Sequence, residues 1–258
     1  MTGIYKRHWA GDRDRPALAL HCMMGNGAYW GPIAGRLEGR IDLAGFDMPG
    51  HGRSDPWEPQ PQGPDFHTSV TRIAASFIDR PLDLIGHSLG ATVALRIAVA
   101  APEAVRSLTL IEPVLFAAAP DAEQITRDQT MAEMIAQGRD DDAARAFIDI
   151  WGAAPFDSLP PATRRAMADQ IKLVVDTDET LTRDRAGILD EGRLETIDAP
   201  VMIILGQDSP LVMHRIADAL APRLADVGRA VVPSAGHMLP LTHADQTAGL
   251  IALNLDRA

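Results

Sequence analysis

Leu82-Asp83-Leu84-Ile85-Gly86-His87-Ser88-Leu89-Gly90-Ala91 is the stretch on which the reading of this chain turns. A short run with strand character enters a corner built as glycine, any residue, serine, any residue, glycine. The small apolar residues 91–101 then continue as a helix. At such a strand-to-helix corner the serine is held strained, and side chains two positions to either side collide with neighbouring backbone. Gly86 and Gly90 remove those collisions, so Ser88 projects at the carboxyl edge of a sheet. The amide of Leu89, at a helix N-terminus, then faces whatever oxyanion forms there. Taken by itself the pentapeptide also fits an ordinary glycine-rich turn; the rest of the chain decides between the two.

Two further segments carry the partners that a serine nucleophile needs. A serine hydroxyl requires a base within hydrogen-bond reach and a carboxylate that holds the base in one tautomer. Val201-Met202-Ile203-Ile204-Leu205 is a continuous apolar run, as expected of a buried strand, and Asp208 follows it directly. Ala230-Val231-Val232 is another short strand, and His237 lies on the loop after it. Glu112, just past Leu108-Thr109-Leu110-Ile111, is a rival acid at a strand's carboxyl end.

In the order serine, acid, histidine, this set resembles the α/β-hydrolase fold family, in its lid-bearing serine hydrolase and esterase group. Asp47-Met48-Pro49-Gly50-His51-Gly52-Arg53-Ser54-Asp55 is similar to the D-x-P-G-x-G-x-S loop of that family, and His21-Cys22-Met23 to its H-G-x segment. The resemblance spans nearly the whole chain. It implies an oxyanion hole formed by the amides of Leu89 and Met23, with Cys22 standing where glycine is usual. Between the two acids it favours Asp208, since an acid one strand before the histidine is the commoner family arrangement. Haloalkane dehalogenase and epoxide hydrolase chemistry takes aspartate at the corner, and this chain has Ser88.

Composition is consistent with such an enzyme. The chain has 258 residues, 46% of them hydrophobic, enough for a packed α/β core. A formal net charge of -11 opposes nucleic-acid and anionic-membrane partners and an anionic substrate; the partner expected is a small-molecule substrate. Cys22 is the sole cysteine, so no intrachain disulfide forms. The first fifteen residues lack an apolar signal core, and no apolar run approaches the roughly 20 residues of a membrane span, so a cytoplasmic location is expected. There is no H-E-x-x-H, C-x-x-C or G-x-x-x-x-G-K-[ST] pattern, and neither a metal nor another cofactor is expected.

The fold class is α/β: a mostly parallel central sheet flanked by helices, with an inserted helical lid. Strands are expected at 4–9, where the sheet has its edge, and at 17–20, 41–46, 82–85, 108–111, 201–205 and 230–232. Helices are expected at 29–37, 66–78, 214–224 and 245–255. Residues 56–64, with four prolines, form a surface loop. Between 113 and 200 helical periodicity replaces the alternation, which divides the chain into a core, 1–113 and 198–258, and a lid, 114–197. Over Ser88 the lid would exclude water, with Phe116, Met131, Met134, Phe147, Trp151 and Phe156 as candidates for an apolar substrate wall. Phe116, Met134, Phe147 and Trp151 are the substrate-binding set carried forward. Each of these apolar residues also fits plain packing of lid on core. Asp140-Asp141-Asp142 reads as a solvated turn or helix start, His51 as part of a hydrogen-bonded loop, and His87 as pointing into polar packing below the pocket.

The expected chemistry is cleavage of an ester or related acyl bond of a small to medium, uncharged substrate. Lactonase, thioesterase and C–C hydrolase activities use the same machinery. A slow-turnover ligand sensor and a perhydrolase or haloperoxidase-like enzyme are the alternatives on the same fold.

Overall fold

A computed structural model describes residues 3–258. Residues 1 and 2, counted above with the core and the amino-terminal stretch, lie outside the described residues. Seven strands form one sheet: β1 (Lys6–Trp9), β2 (Pro16–Leu20), β3 (Asp42–Phe46), β4 (Leu82–His87), β5 (Val105–Ile111), β6 (Val201–Gly206) and β7 (Val227–Val232). Their spatial order is β1-β3-β2-β4-β5-β6-β7. Only β1 runs antiparallel, against β3 at the sheet edge; the remaining pairs are parallel. Nine α-helices accompany them among the described residues: α1 (Gly31–Arg36), α2 (Phe66–Ala75), α3 (Leu89–Ala100), α4 (Ala122–Ala136), α5 (Asp140–Trp151), α6 (Pro161–Thr182), α7 (Leu211–Leu220), α8 (Leu239–Thr242) and α9 (Ala244–Leu255).

Strands β4 and β6 are buried along their whole length, as continuous apolar runs covered on both faces must be. Alternate residues serve opposite sides. Ile85 and Ile204 pack with Trp30, Ile33, Ile251 and Leu255 beneath α1 and α9. Leu84 and Ile203 pack with Phe66, Val70, Leu95 and Ile216 beneath α2, α3 and α7.

Several boundaries differ from the periodicity reading. Strand β5 begins at Val105 rather than at 108, because the polar Arg106 and Ser107 find a partner in the buried Asp83. Strand β7 begins at Val227, since an edge strand tolerates Gly228 and Arg229. Helix α7 occupies 211–220 because Pro210 sets its start, and a 3-10 turn carrying Pro222 follows it. The expected 29–37 helix divides into a 3-10 turn, Gly27–Trp30, and α1.

Helices α4, α5 and α6 lie between β5 and β6 in sequence and have a small apolar core of their own, including Met131, Ile148, Phe156 and Ile171. The Asp121 carboxylate caps α4 by accepting from the amides of Glu123 and Gln124. Asp140, Asp141 and Asp142 occupy the first turn of α5, where negative charge complements the helix dipole. Gln170 on α6 ties this insertion to the core by donating to the Gly50 carbonyl at 2.8 Å.

Candidate active site

Ser88 occupies the corner between β4 and α3 with φ 57° and ψ -117°. Such a conformation costs about 1–3 kcal/mol in a non-glycine residue and persists only where the surroundings overdetermine it. They do so here. A Cβ on Gly86 would lie 2.3 Å from the Gly90 carbonyl oxygen, and one on Gly90 would lie 2.3 Å from that of Leu20. The Ser88 amide donates to the Ile111 carbonyl at 2.9 Å, which pins the corner to the end of β5.

His237 stands between Ser88 and a buried carboxylate, that of Glu112. His237 Nε2 stands 3.0 Å from Ser88 Oγ, and His237 Nδ1 stands 3.0 Å from Glu112 Oε2. The other Glu112 oxygen accepts from the Gly206 amide at 2.7 Å and the Ser209 hydroxyl at 2.8 Å. Glu112 is wholly buried, and Ser88 and His237 are each 6% exposed. The structure thus brings Glu112, and not the expected Asp208, against His237. Asp208 is exposed, and its carboxylate makes no hydrogen bond among the described residues; its amide donates to the Ala235 carbonyl, and the side chain lies away from His237's partners. Register explains the outcome. His87 pairs with Ile111, so the residue after β5 sits beside the residue after β4, whereas Asp208 lies two residues past the end of β6.

Leu89 begins α3, so its amide has no intrahelical acceptor. Around Met23 the neighbouring amides are engaged: that of Cys22 donates to the Tyr29 hydroxyl at 3.0 Å and that of Met24 to His51 Nε2 at 3.0 Å. The Met23 amide has no partner among the described residues, and Met23 and Leu89 both border the cavity at Ser88. Cys22 is buried, and burial pushes its thiol up to about 12, so it stays neutral.

Tyr29, which sequence reasoning did not single out, extends this support. Its hydroxyl donates to His87 Nδ1 at 3.0 Å, and His87 Nε2–H donates to the His237 carbonyl at 2.9 Å. Burial, then the neighbouring His237, holds His87 well below the usual histidine range, so the ring is neutral. His21 and His51, lowered by burial to about 3 and about 4, likewise receive the Met48 and Met24 amides as neutral rings.

The cavity at Ser88 is small, about 50 Å³, and mostly apolar. Phe116, Phe147 and Trp151 line it. Trp151 stands edge-on to the His237 ring with centroids 4.9 Å apart. Met134 lies instead on a neighbouring cavity of about 160 Å³ that Ser88 does not border. Phe147, Trp151, Gln124 and Asp128 border both spaces and so form the partition between them. The polar members were not anticipated, although their spacing is a signal. Gln124, Asp128, Met131 and Ile135 share one helical face, as do Ile171, Val174, Asp178 and Leu181, so each apolar stripe is interrupted by an aspartate.

A doubly covered, mostly parallel sheet with a serine corner, a histidine loop and an acid at one edge defines a class of protein. The chain belongs to the alpha/beta hydrolase fold family, whose family model matches residues 16–244. The pimeloyl-[acyl-carrier protein] methyl ester esterase of Methylococcus capsulatus is 28% identical over 259 residues, covering 93% of this chain and 94% of that protein. The 2-(acetamidomethylene)succinate hydrolase of Mesorhizobium japonicum is 28% identical over 236 residues, covering 85% of this chain and 80% of that protein. Among solved structures, an alpha/beta hydrolase enzyme from a Medee basin deep-sea metagenome library shares the fold. It has a TM-score of 0.80 at 16% identity and covers 100% of this chain and 95% of that one. With ester-cleaving relatives over nearly its full length, the chain is an enzyme, a carboxylesterase-like hydrolase. No helix among the described residues is long and apolar enough to cross a membrane.

Proposed function

We propose that the enzyme is a serine hydrolase that cleaves an ester or related acyl bond of a small to medium substrate through an acyl-enzyme. The observation that carries this reading is the unbroken chain from Ser88 Oγ through both His237 nitrogens to Glu112, each link 3.0 Å. Ser88 Oγ attacks the carbonyl carbon while His237 Nε2 takes its proton, and Glu112 holds Nδ1–H and stabilises the imidazolium. The Leu89 and Met23 amides receive the oxyanion. His237 then protonates the leaving group, and a water activated by the same nitrogen releases the acid. Helices α4 to α6 act as the lid over this site, and Trp151, packed on His237, keeps bulk water from it. The groups flanking the scissile carbonyl are uncharged, in keeping with the apolar lining from Phe116, Phe147 and Leu181. The same proposal has the enzyme act in the cytoplasm on a free small molecule, without nucleic acid or membrane.

A fluorophosphonate probe with intact-mass readout, run beside turnover of p-nitrophenyl acetate and butyrate, tests the reading. One label on the wild type and none on Ser88→Ala, with kcat lower by about 10⁴, is the expected result. Labelling that survives Ser88→Ala overturns it. A protein that binds esters but neither labels nor turns over would be a ligand sensor.

A further inference from the structure

Among the apolar groups of the Ser88 cavity stand three side chains that acyl transfer does not use: Gln124 and Asp128 from α4 and Asp178 from α6. The two aspartates border the same cavity, one from each helix, and each influences the other's charge. Burial, and then the neighbouring Asp178, pushes Asp128 up to about 7, and burial raises Asp178 as well, which favours a proton shared between them. Asp128 Oδ2 is buried and has no hydrogen-bond partner among the described residues.

Gln124 is 5% exposed; its Nε2 donates to Asp128 Oδ1 at 2.8 Å, and its Oε1 is buried without a partner among the described residues. A buried carbonyl oxygen without a donor is destabilising, so one kept at a cavity wall implies a donor that arrives with a ligand. The nearby cations are engaged elsewhere: Arg127 with Glu123, and Arg183 with Glu179, which also flanks Asp178. The local set is thus rich in acceptors and net negative.

We propose that Gln124, Asp128 and Asp178 form a subsite for an ammonium group at the far end of the substrate. An ammonium carries three donors for three acceptors and replaces the shared proton, which leaves as it binds. A hydroxyl offers one donor, and a carboxylate is repelled. This replaces the uncharged substrate expected from sequence, and it rests on the proposed function only in calling the ligand a substrate.

Binding is therefore measured without turnover, by titration calorimetry of wild-type protein at pH 7 with butylammonium, butan-1-ol and butyrate. Butylammonium should bind at least tenfold more tightly than butan-1-ol, butyrate should not bind, and Asp128→Asn/Asp178→Asn should abolish the preference. Equal affinities for the amine and the alcohol, or a preference that survives the double substitution, would overturn the subsite. If the double variant does not fold, the wild type still decides. Heats in buffers of different ionisation enthalpy should show proton release with butylammonium and none with the alcohol, and no release in either case also overturns the proposal. The phosphonate label on Ser88 reports separately on the serine mechanism.

Discussion

Replacing Glu112 with glutamine tests the acid directly, because the substitution keeps the shape and changes one donor–acceptor relation. In the native site Glu112 Oε1 accepts from the Gly206 amide and the Ser209 hydroxyl, and Oε2 faces His237 Nδ1. A glutamine carbonyl can keep the first two partners, which leaves its NH2 group against His237. That group donates, so His237 must present a bare Nδ1 and carry its proton on Nε2, 3.0 Å from Ser88 Oγ. The base is then blocked. Loss of the correct tautomer in such a triad lowers kcat by about 10⁴, about 5 kcal/mol of transition-state stabilisation. Asp208→Asn alters an exposed side chain with no bonds to the site and should change kcat by less than about threefold. Initial rates on p-nitrophenyl acetate, with circular dichroism to confirm folding, distinguish the variants. A steep loss in Asp208→Asn with activity kept in Glu112→Gln would refute the assignment, and equal mild losses would mean that neither carboxylate fixes the tautomer.

Gly90→Ala forces a Cβ to 2.3 Å from the Leu20 carbonyl and should destabilise the fold by about 3 kcal/mol or more, read by urea unfolding; a loss below 1 kcal/mol would contradict the close approach. Trp151→Ala removes part of the partition between the 50 and 160 Å³ cavities. It should move the optimum of a p-nitrophenyl ester series to longer acyl chains, in graded steps of about 1–3 kcal/mol per methylene at most. An unchanged profile in folded protein would restrict Trp151 to packing. Asp128, held near 7 when folded against an ordinary 3.8, takes up a proton on folding, so stability should fall as pH rises from about 4 to about 7. Asp128→Asn should remove that decline and gain about 1–2 kcal/mol at pH 8 relative to pH 5, a modest figure because water reaches and screens the pair. Parallel stability curves for the two proteins would count against it.

The serine corner was legible because steric demand writes itself into residue type: only glycine fits at positions 86 and 90, and both glycines are visible in the chain. The alternation of strand and helix, and its loss after Pro113, was legible for the same kind of reason, since burial on two faces leaves continuous apolar runs such as 201–205. The acid was not resolved. Glu112 and Asp208 both follow strands, and what separates them is the pairing of β4 with β5, a long-range register absent from local sequence. Met134 shows the same limit, since an apolar stripe reports that a face is buried and not which of two adjoining cavities it meets. Tyr29 reaches His87 across 58 residues of sequence, and Ser209 reaches Glu112 across 97.

Because the acid stands at the end of β5, Ser88, Glu112 and the Met23 and Leu89 amides all precede the insertion, and only His237 follows it. On the proposed mechanism each half of the chain would be inert for want of the other, so a polypeptide severed between α5 and α6 would become a two-component device. The amino-terminal piece would hold the proposed attacking group, Ser88, and the carboxyl-terminal piece its proposed proton acceptor, His237. Fused to two proteins that bind each other, the pieces would recover ester turnover only on association, and the amount of activity would count the complexes formed. Loop length in the insertion is also free to vary without shifting serine against acid, since these two are joined through adjacent strands and not through the helices above them.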